Sequence, residues 1–193
     1  LKSEQQIDHV DLIVGGPPCQ AYSLVGRAVK SDNMVGDPRN YLYKLYIEVL
    51  KKYTPTMFVF ENVPGLLTAN GGQYFEDMKS AFKAAGYTID HAVLNAKSFD
   101  VLQDRRRVIL IGWKKDLHYK YPSFVEKTPA YKVADLLSDL PTIQSGESNN
   151  SYATKKFSAY LETTGIRKKD DILTWHVARP HISRDRKIYK EVI

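Results

Sequence analysis

Short apolar runs alternate with longer amphipathic stretches along the first two thirds of this 193-residue chain. The short runs have the length and composition of β-strands, and they occupy residues 11–14, 57–60, 87–94 and 108–113. The amphipathic stretches repeat apolar residues at helical spacing, and they occupy residues 41–52 and 74–85. Alternating strands and helices predict an α/β fold, in the form of a doubly wound sheet with crossover helices.

The same spacing predicts which positions face the core. In residues 41–52 the predicted core positions are Leu42, Leu45, Tyr46, Val49 and Leu50. In residues 74–85 they are Phe75, Met78, Ala81 and Phe82. Gly86 directly follows the second stretch, and a glycine at this point is a common helix terminator. The runs at residues 11–14 and 57–60 are predicted to be buried strands because nearly all of their residues are apolar.

After Trp113 the pattern becomes irregular. Residues 133–140 have the spacing of a short helix that ends before Pro141. Residues 145–151 are rich in Ser, Asn and Gly, which is typical of a linker or an exposed loop. We therefore predict one domain over residues 1–144 and, over residues 145–193, a linker followed by an irregular C-terminal extension.

Composition and charge place the chain among globular proteins with a basic surface. Hydrophobic residues make up 43% and charged residues 26%, and Lys plus Arg exceed Asp plus Glu by 28 to 22, for a net charge of +6. This excess attracts polyanions such as nucleic acids without identifying one. A single cysteine excludes an internal disulfide, and no run approaches the ~18 apolar residues of a spanning helix. These features predict a cytoplasmic protein with no membrane partner and no metal site.

The only cysteine follows the first apolar run, in the segment Gly15-Gly16-Pro17-Pro18-Cys19-Gln20. The two prolines fix the backbone before the sulfur, so Cys19 is predicted to lie on a stiff turn outside any helix or strand. A lone cysteine is more often a small buried apolar residue than a reactive one. Its place on a rigid turn at a strand end nevertheless makes Cys19 a candidate nucleophile.

Two further polar clusters adjoin predicted strands. They are Glu61-Asn62-Val63, after residues 57–60, and Gln103-Asp104-Arg105-Arg106-Arg107, before residues 108–113. Taken singly, the first is typical of a strand-to-turn junction and the second of a solvated basic edge. In open α/β sheets, however, ligands bind beyond the strand ends. We therefore expect the thiol, the carboxyl group and the arginines to converge on one heterocyclic substrate.

A long polar segment separates the candidate nucleophile from the first predicted helix. Residues 23–39 contain Gly26, Gly36 and Pro38, which favour loop structure over a regular element. Long loops beside a site often close over it. This segment is therefore predicted to be a mobile lid.

Three segments resemble signature motifs of the DNA cytosine-5 methyltransferases, in the order of that family. They are Pro18-Cys19-Gln20, Glu61-Asn62-Val63 and Gln103-x-Arg105-x-Arg107. The resemblance covers roughly residues 10–113, including the segment 37–42, and a weaker likeness continues at residues 133–141 and 175–183. It implies a partial catalytic domain over residues 1–144 and, over residues 145–193, a linker and the start of the target-recognition region. It implies a Rossmann-like sheet that binds S-adenosyl-L-methionine. It also implies methyl transfer to C5 of a cytosine flipped out of double-stranded DNA, in a bacterial restriction-modification system and in association with the nucleoid.

The resemblance further implies a role for each motif residue. Cys19 would attack C6 of the cytosine as a thiolate. Glu61 would bond to N3 and the exocyclic amine, with a pKa raised by burial, while Asn62 would shape the turn and hold its neighbours. Arg107 would donate to O2 of the cytosine, and Arg105 would support the nucleophile and a nearby phosphate.

Other contacts implied by the resemblance concern the methyl donor and the DNA. Pro18 and Leu42 would contact the donor, although Leu42 is equally well explained as a core residue of its helix. The implied DNA contacts are Gln20, Ser23, Arg27 and Gln103. Ser23 and Arg27 would reach backbone phosphates from the predicted lid.

The sequence departs from the family in the segments that it lacks. The Phe-x-Gly-x-Gly turn, the acidic residue that binds the donor's ribose, and the motifs that follow target recognition are not found in it. We therefore expect weak binding of S-adenosylmethionine and little activity from this chain by itself. We also expect an apolar sheet edge that pairs with a missing N-terminal portion or with a second chain.

Two alternatives stay open. A transfer RNA cytosine-5 methyltransferase would use the same cysteine chemistry, although Ala21-Tyr22-Ser23 fits the DNA enzymes better. The other alternative is a non-catalytic DNA-binding remnant. Covalent trapping and competition between duplex DNA and transfer RNA would separate these possibilities.

Overall fold

The computed structural model of the chain describes residues 9–18 and 42–192. Its strands are β1 (Leu12–Gly15), β2 (Met57–Asn62), β3 (Tyr87–Asn95) and β4 (Arg106–Lys114). Its α-helices are α1 (Leu42–Tyr53), α2 (Gln73–Ala84), α3 (Val133–Leu137), α4 (Ala159–Thr163) and α5 (Ser183–Val192). Short 3-10 turns occupy Pro64–Leu67, Ala69–Gly72 and Ala96–Phe99. None of the helices in these residues has the length and apolar character needed to cross a membrane.

Several residues singled out in the sequence lie outside the described residues. They are the candidate nucleophile Cys19 and the candidate DNA contacts Gln20, Ser23 and Arg27. The predicted lid at residues 23–39 lies outside them as well. The roles of these residues therefore stay predictions.

The strands form one sheet in the order β1, β2, β4, β3. β1 and β2 run parallel, whereas β4 runs antiparallel to both β2 and β3. The connection from β3 to β4 covers only residues 96–105, which is too short for a crossover, so these strands pair as antiparallel neighbours. The predicted α/β fold is confirmed, while the parallel order that alternating strands and helices imply holds only for β1 and β2.

One face of the sheet packs against α1 and α2 through a cluster of aromatic rings. Phe58 and Phe60 of β2 and Phe82 of α2 are fully buried. The ring of Tyr46, from α1, meets Phe60 edge-on with 5.3 Å between centroids, and Phe58 lies 4.7 Å from Phe82. These contacts fix both helices against β2, and they set the position of α1 relative to the ends of β1 and β2.

Helix α2 agrees with the sequence prediction. Its buried residues are Tyr74, Phe75, Met78 and Phe82. Gly86 follows the helix with φ +96°, a left-handed conformation that favours glycine over other residues. The predicted helix and its stop signal are therefore both present.

The predicted core face of α1 is wrong in part. The helix buries Tyr43, Tyr46, Ile47 and Leu50, whereas Leu45 is 64% and Val49 is 40% exposed. The sequence carries two overlapping apolar stripes, and periodicity does not decide between them. Both stripes share Tyr46 and Leu50, and the buried one adds Tyr43 and Ile47. The Tyr46 hydroxyl shares its proton between the carbonyl oxygens of Ile13 and Val59, at 3.2 and 3.0 Å.

Strand β1 is less buried than the sequence predicts. Leu12 is 50% and Val14 is 67% exposed, while Ile13 between them packs against the core. Alternate residues of a strand point to opposite faces, and Leu12 and Val14 point to the face of the sheet that α1 and α2 do not cover. Because β1 lies at the edge of the sheet, it also has a neighbouring strand on one side only among the described residues. An apolar sheet edge of this kind was expected from the sequence.

By spatial proximity the chain divides into two compact units, Leu1–Thr128 and Pro129–Ile193. The predicted division between residues 144 and 145 falls inside the second unit. A buried ion pair holds that unit together, with 3.1 Å between Nε of Arg167 and Oδ2 of Asp139. The same guanidinium stacks on Tyr152, 3.3 Å from the ring centroid.

The segment predicted to be a linker or an exposed loop is hydrogen-bonded within the second unit. Ser148 forms a β-bridge with Val177, and the Gly146 N–H donates to the carbonyl oxygen of Ala178. His176 lies beside it, with Nε2 2.8 Å from the carbonyl oxygen of Pro141. Residues 145–149 are therefore an ordered part of this unit.

Candidate functional site

The pairing of β2 with β4 brings two of the sequence motifs to the same edge of the sheet. Glu61 lies opposite Ile109 and Asn62 lies opposite Val108, so the start of β4 adjoins the carboxyl end of β2. β1 ends at this edge too, because Gly15 is the register partner of Phe60. The antiparallel direction of β4 thus places Arg107 beside Glu61, and the segment leading to Cys19 leaves β1 at the same edge.

An ion pair forms the centre of this edge. Nε of Arg107 lies 2.7 Å from Oε1 of Glu61, and Nη2 of Arg105 lies 3.9 Å from the same oxygen. The Arg107 side chain is 24% exposed and that of Arg105 is 47% exposed. Nη1 of Arg107 also donates to the carbonyl oxygen of Arg106, at 2.8 Å, which fixes the plane of its guanidinium. Arg107 is therefore the ordered partner of the carboxylate, and Arg105 is the looser one.

The surroundings of Glu61 differ from the expectation of a buried carboxyl group. Its side chain is 37% exposed, and its recorded ion-pair partners are the two arginines. The described residues therefore leave one side of the carboxylate open to solvent. A planar ligand that offers hydrogen-bond donors has access to it from that side.

Asn62 links the end of β2 to the segment that carries the cysteine. It is 2% exposed, its Nδ2 donates to the carbonyl oxygen of Pro17 at 3.3 Å, and its Oδ1 accepts from the Val63 N–H at 2.9 Å. Both ends of the amide are thus occupied. This contact fixes the backbone at Pro17, two residues before the candidate nucleophile in the sequence.

Asn95, at the end of β3, holds the turn that delivers the arginines and was missed by the sequence analysis. Its Oδ1 accepts from the N–H groups of Lys97 and Arg105, both at 3.2 Å. Its Nδ2 donates to Asp104, which also pairs with Lys97. Hydrogen bonds from Lys97 and then from Asn95 lower the pKa of the Asp104 carboxyl group. The sequence signal for Asn95 was an Asn directly after a predicted strand. Its hydrogen-bond partners, however, lie up to ten residues away in the chain.

The remaining predicted site residues are placed as follows. Gln103 is exposed in the turn before β4, where its backbone N–H donates to the carbonyl oxygen of Val101. Pro18 is exposed after β1, and Leu42 is half-buried at the first residue of α1. The structure therefore brings Glu61 and Arg107 into contact, and it does not add Gln103 to that contact.

Leu42 lies one helical turn before Tyr46, whose ring approaches Gly15 at the end of β1. Leu42 therefore belongs to the helix that packs against the end of β1, and Pro18 follows Gly15 by three residues. Among residues 9–18 and 42–192, no three His, Cys, Asp or Glu side chains are grouped to hold a metal ion.

The arrangement combines an acceptor and a donor at a fixed spacing. A carboxyl group accepts hydrogen bonds from an amine or, when protonated, donates one to a ring nitrogen. A guanidinium donates to a carbonyl oxygen and stays charged. Together they match one edge of a heterocycle that carries an amine, a ring nitrogen and a carbonyl group in sequence.

Comparison with known proteins identifies related chains. The family model for the C-5 cytosine-specific DNA methylases matches residues 1–191. The type II methyltransferase M.Bpa9945I of Bacillus paralicheniformis is 39% identical over 95% of this chain and 45% of its own length. M.MthTI of Methanothermobacter thermautotrophicus, also a type II methyltransferase, is 32% identical over 86% of this chain and 53% of its own length. The chain thus spans about half the length of these relatives.

A solved structure supports the fold. A prophage-encoded E. coli protein, described as a DNA modification methyltransferase, superposes with a TM-score of 0.61 and 25% identity. The match covers 83% of this chain and 46% of the other protein. The mixed sheet and its helices are therefore shared with a longer protein.

Proposed function

Because the chain belongs to the C-5 cytosine-specific DNA methylase family, we propose that it forms the catalytic part of an enzyme that methylates cytosine in double-stranded DNA. We propose bacterial restriction-modification as its setting, because a type II relative of 39% identity comes from Bacillus paralicheniformis. One observation carries the proposal. Arg107 holds Glu61 at the edge of the sheet where Asn62 tethers the segment leading to Cys19.

The proposed reaction begins with Cys19. Its thiolate forms a bond to C6 of a flipped cytosine, and the electron pair of the C5–C6 bond makes C5 nucleophilic. S-adenosylmethionine supplies the methyl group when it is bound. Loss of the C5 proton to a base and departure of the Cys19 thiolate then restore the aromatic ring. A poor nucleophile is thus made reactive through a temporary covalent bond.

Glu61 and Arg107 assist this step by holding the ring. Glu61 bonds to N3 and the exocyclic amine, and it supplies a proton toward N3 as negative charge develops there. Arg107 donates to O2, for which its ordered guanidinium is suited. Arg105, which is more exposed, supports the nucleophile and a nearby phosphate.

The donor and DNA contacts are part of the proposal. Pro18 and Leu42 contact S-adenosylmethionine through their apolar surfaces. The proposed DNA contacts are Gln20, Ser23, Arg27 and Gln103. The excess of basic residues supports a polyanionic partner. Further contacts with the donor and the DNA come from a portion that corresponds to the rest of the relatives' length. This portion belongs either to the same polypeptide or to a second chain.

Covalent trapping tests the proposal. A duplex with 5-fluorocytosine retains the adduct, because fluorine at C5 cannot leave as a proton does. The assay uses a chimera in which residues 1–191 replace the matching segment of M.Bpa9945I, so that the rest of the relative's length is present. With S-adenosylmethionine, we expect a mass increase equal to the methylated DNA strand, and no increase for Cys19→Ser.

Three results would contradict the proposal in different ways. An adduct that persists in Cys19→Ser would exclude this residue as the nucleophile. Adduct formation that competing transfer RNA suppresses, and that competing unmodified duplex DNA does not, would identify the RNA enzyme. DNA binding without any adduct, in a chimera that binds S-adenosylmethionine, would identify a non-catalytic protein.

A further inference from the structure

Three glycines of the described residues lie where an added methyl group would collide with a side chain, although none has a positive φ. Gly112 faces the ring of Phe58, and Gly15 faces the ring of Tyr46, 2.6 Å from the nearest atom. Gly16 faces the carboxylate of Glu61, with Oε2 at 2.8 Å. At these positions space, and not backbone conformation, requires glycine.

The three collisions differ in what would have to move. Phe58 is fully buried and Tyr46 is 9% exposed, so their rings have no room to retreat. The Glu61 carboxylate is the end of a flexible side chain that is 37% exposed. The backbone oxygen of Glu61 is farther from the added methyl group, at 3.4 Å. A methyl group on residue 16 would therefore displace the carboxylate and leave the core unchanged.

The backbone at Gly16 has little freedom to move away instead. On one side, Gly15 rests against Tyr46, whose hydroxyl bonds to carbonyl oxygens of both β1 and β2. On the other side, the carbonyl oxygen of Pro17 accepts from the buried Asn62. The carboxylate is the movable partner, and its displacement would disrupt the 2.7 Å contact with Arg107.

We propose that Gly16 is a positioning residue for Glu61. Its missing side chain lets the carboxylate lie directly against the segment that leads to Cys19, in the place where Arg107 holds it. The catalytic meaning of this position rests on the function proposed above. The position itself is a property of the folded chain and is testable without activity.

The first test uses the chain by itself, with Gly15→Ala as the matched control. Side-chain carboxyl groups are labelled with ¹³C, and the Glu61 signal is assigned by its loss in Glu61→Gln. In Gly16→Ala we expect the Glu61 signal to shift while the other glutamate signals and the midpoint of thermal unfolding stay in place. In Gly15→Ala we expect the midpoint to fall, because the Tyr46 ring cannot retreat.

An unshifted Glu61 signal in Gly16→Ala would overturn the proposal. So would a fall in the unfolding midpoint as large as that of Gly15→Ala, since Gly16 would then serve the fold and not the site.

The second test measures the rate of adduct formation in the chimera described above. We expect Gly16→Ala to form the adduct about 100-fold more slowly, because small misplacements of a catalytic group cost about this much. DNA affinity is expected to stay within about twofold, since Gly16 has no proposed DNA contact. An unchanged adduct rate would overturn the proposal. If the unmodified chimera forms no adduct, the proposed function fails, and the carboxyl signal still decides whether Gly16 positions Glu61.

Discussion

Nε of Arg107 lies 2.7 Å from Oε1 of Glu61, although the two residues belong to sequence motifs that are far apart in the chain. The contact exists because β4 runs antiparallel to β2 and starts where β2 ends. Arg107 therefore approaches the carboxylate from the neighbouring strand. This relationship distinguishes the two arginines of the motif, since Arg105 lies 3.9 Å away and is twice as exposed.

Replacing the arginines one at a time tests that distinction. We expect Arg107→Lys to slow adduct formation about 100-fold, because a lysine lacks the fixed fork that donates to both Glu61 and the ring. Arg105→Lys, the matched control, is expected to slow adduct formation clearly less than Arg107→Lys does. The measurement is the adduct rate with the 5-fluorocytosine duplex. Equal losses for the two variants would contradict the roles assigned from the distances.

Replacing Asn62 tests the link between β2 and the nucleophile segment. In Asn62→Ala, the half-buried Pro17 carbonyl oxygen and Val63 N–H lose their buried partner, at a cost of about 1–3 kcal/mol in the free energy of unfolding. Urea denaturation measures this change. The exposed Gln103→Ala is the control, with an expected change within about 0.5 kcal/mol. A cost for Asn62→Ala no larger than the control's would show that the contacts do not stabilise the fold.

Tyr46 predicts a pH dependence of stability. Burial, with a smaller effect of the nearby Tyr87, raises the pKa of Tyr46 above its ordinary value of 10.0. Its contribution to stability is therefore fully present below pH 10 and is lost as the pH rises further.

Tyr46→Phe separates this contribution from other alkaline effects. The variant loses the hydrogen bond that the Tyr46 hydroxyl shares between the carbonyl oxygens of Ile13 and Val59. This loss lowers the free energy of unfolding by about 0.5–1.5 kcal/mol at neutral pH. Above pH 10, the difference in the free energy of unfolding between Tyr46→Phe and the unmodified chain is expected to narrow. Urea denaturation across this range measures it, and a constant difference would contradict the shifted pKa.

The ion pair of the second unit predicts a large cost of mutation. Asp139 is 2% exposed, and Arg167→Met would leave its carboxylate buried without the guanidinium. We expect a loss of about 3–5 kcal/mol in the free energy of unfolding, against about 0–1 kcal/mol for Lys51→Ala, which breaks the exposed pair with Glu48. Thermal or urea unfolding compares them. Similar losses in both variants would contradict the burial of the Arg167 pair.

The two tryptophans predict a simple fluorescence result. Trp175 is 91% exposed, whereas Trp113 in β4 is 4% exposed. We expect Trp175→Phe to remove most of the emission that acrylamide quenches, and to leave a blue-shifted emission from Trp113. Emission that stays strongly quenchable in Trp175→Phe would show that Trp113 is accessible.

Local patterns in the sequence were enough to predict the helices and strands of the first unit. Apolar spacing identified α2 and its terminating Gly86, because a helix face and a left-handed stop are properties of neighbouring residues. The motifs around Glu61 and Arg107 also identified the family, which the comparisons show independently. In contrast, the buried stripe of α1 was predicted only in part, since two stripes with the same period share Tyr46 and Leu50.

Local sequence patterns predict the helices and strands and the kinds of chemical groups at their ends. Which of these groups meet depends on how the strands pair and the helices pack. The antiparallel insertion of β4 between β2 and β3 pairs Arg107 with Glu61, the edge position of β1 exposes Leu12 and Val14, and the approach of Glu61 leaves no room for a side chain at Gly16. The physical reason is that pairing and packing depend on residues far apart in the chain, whereas periodicity reports only on near neighbours.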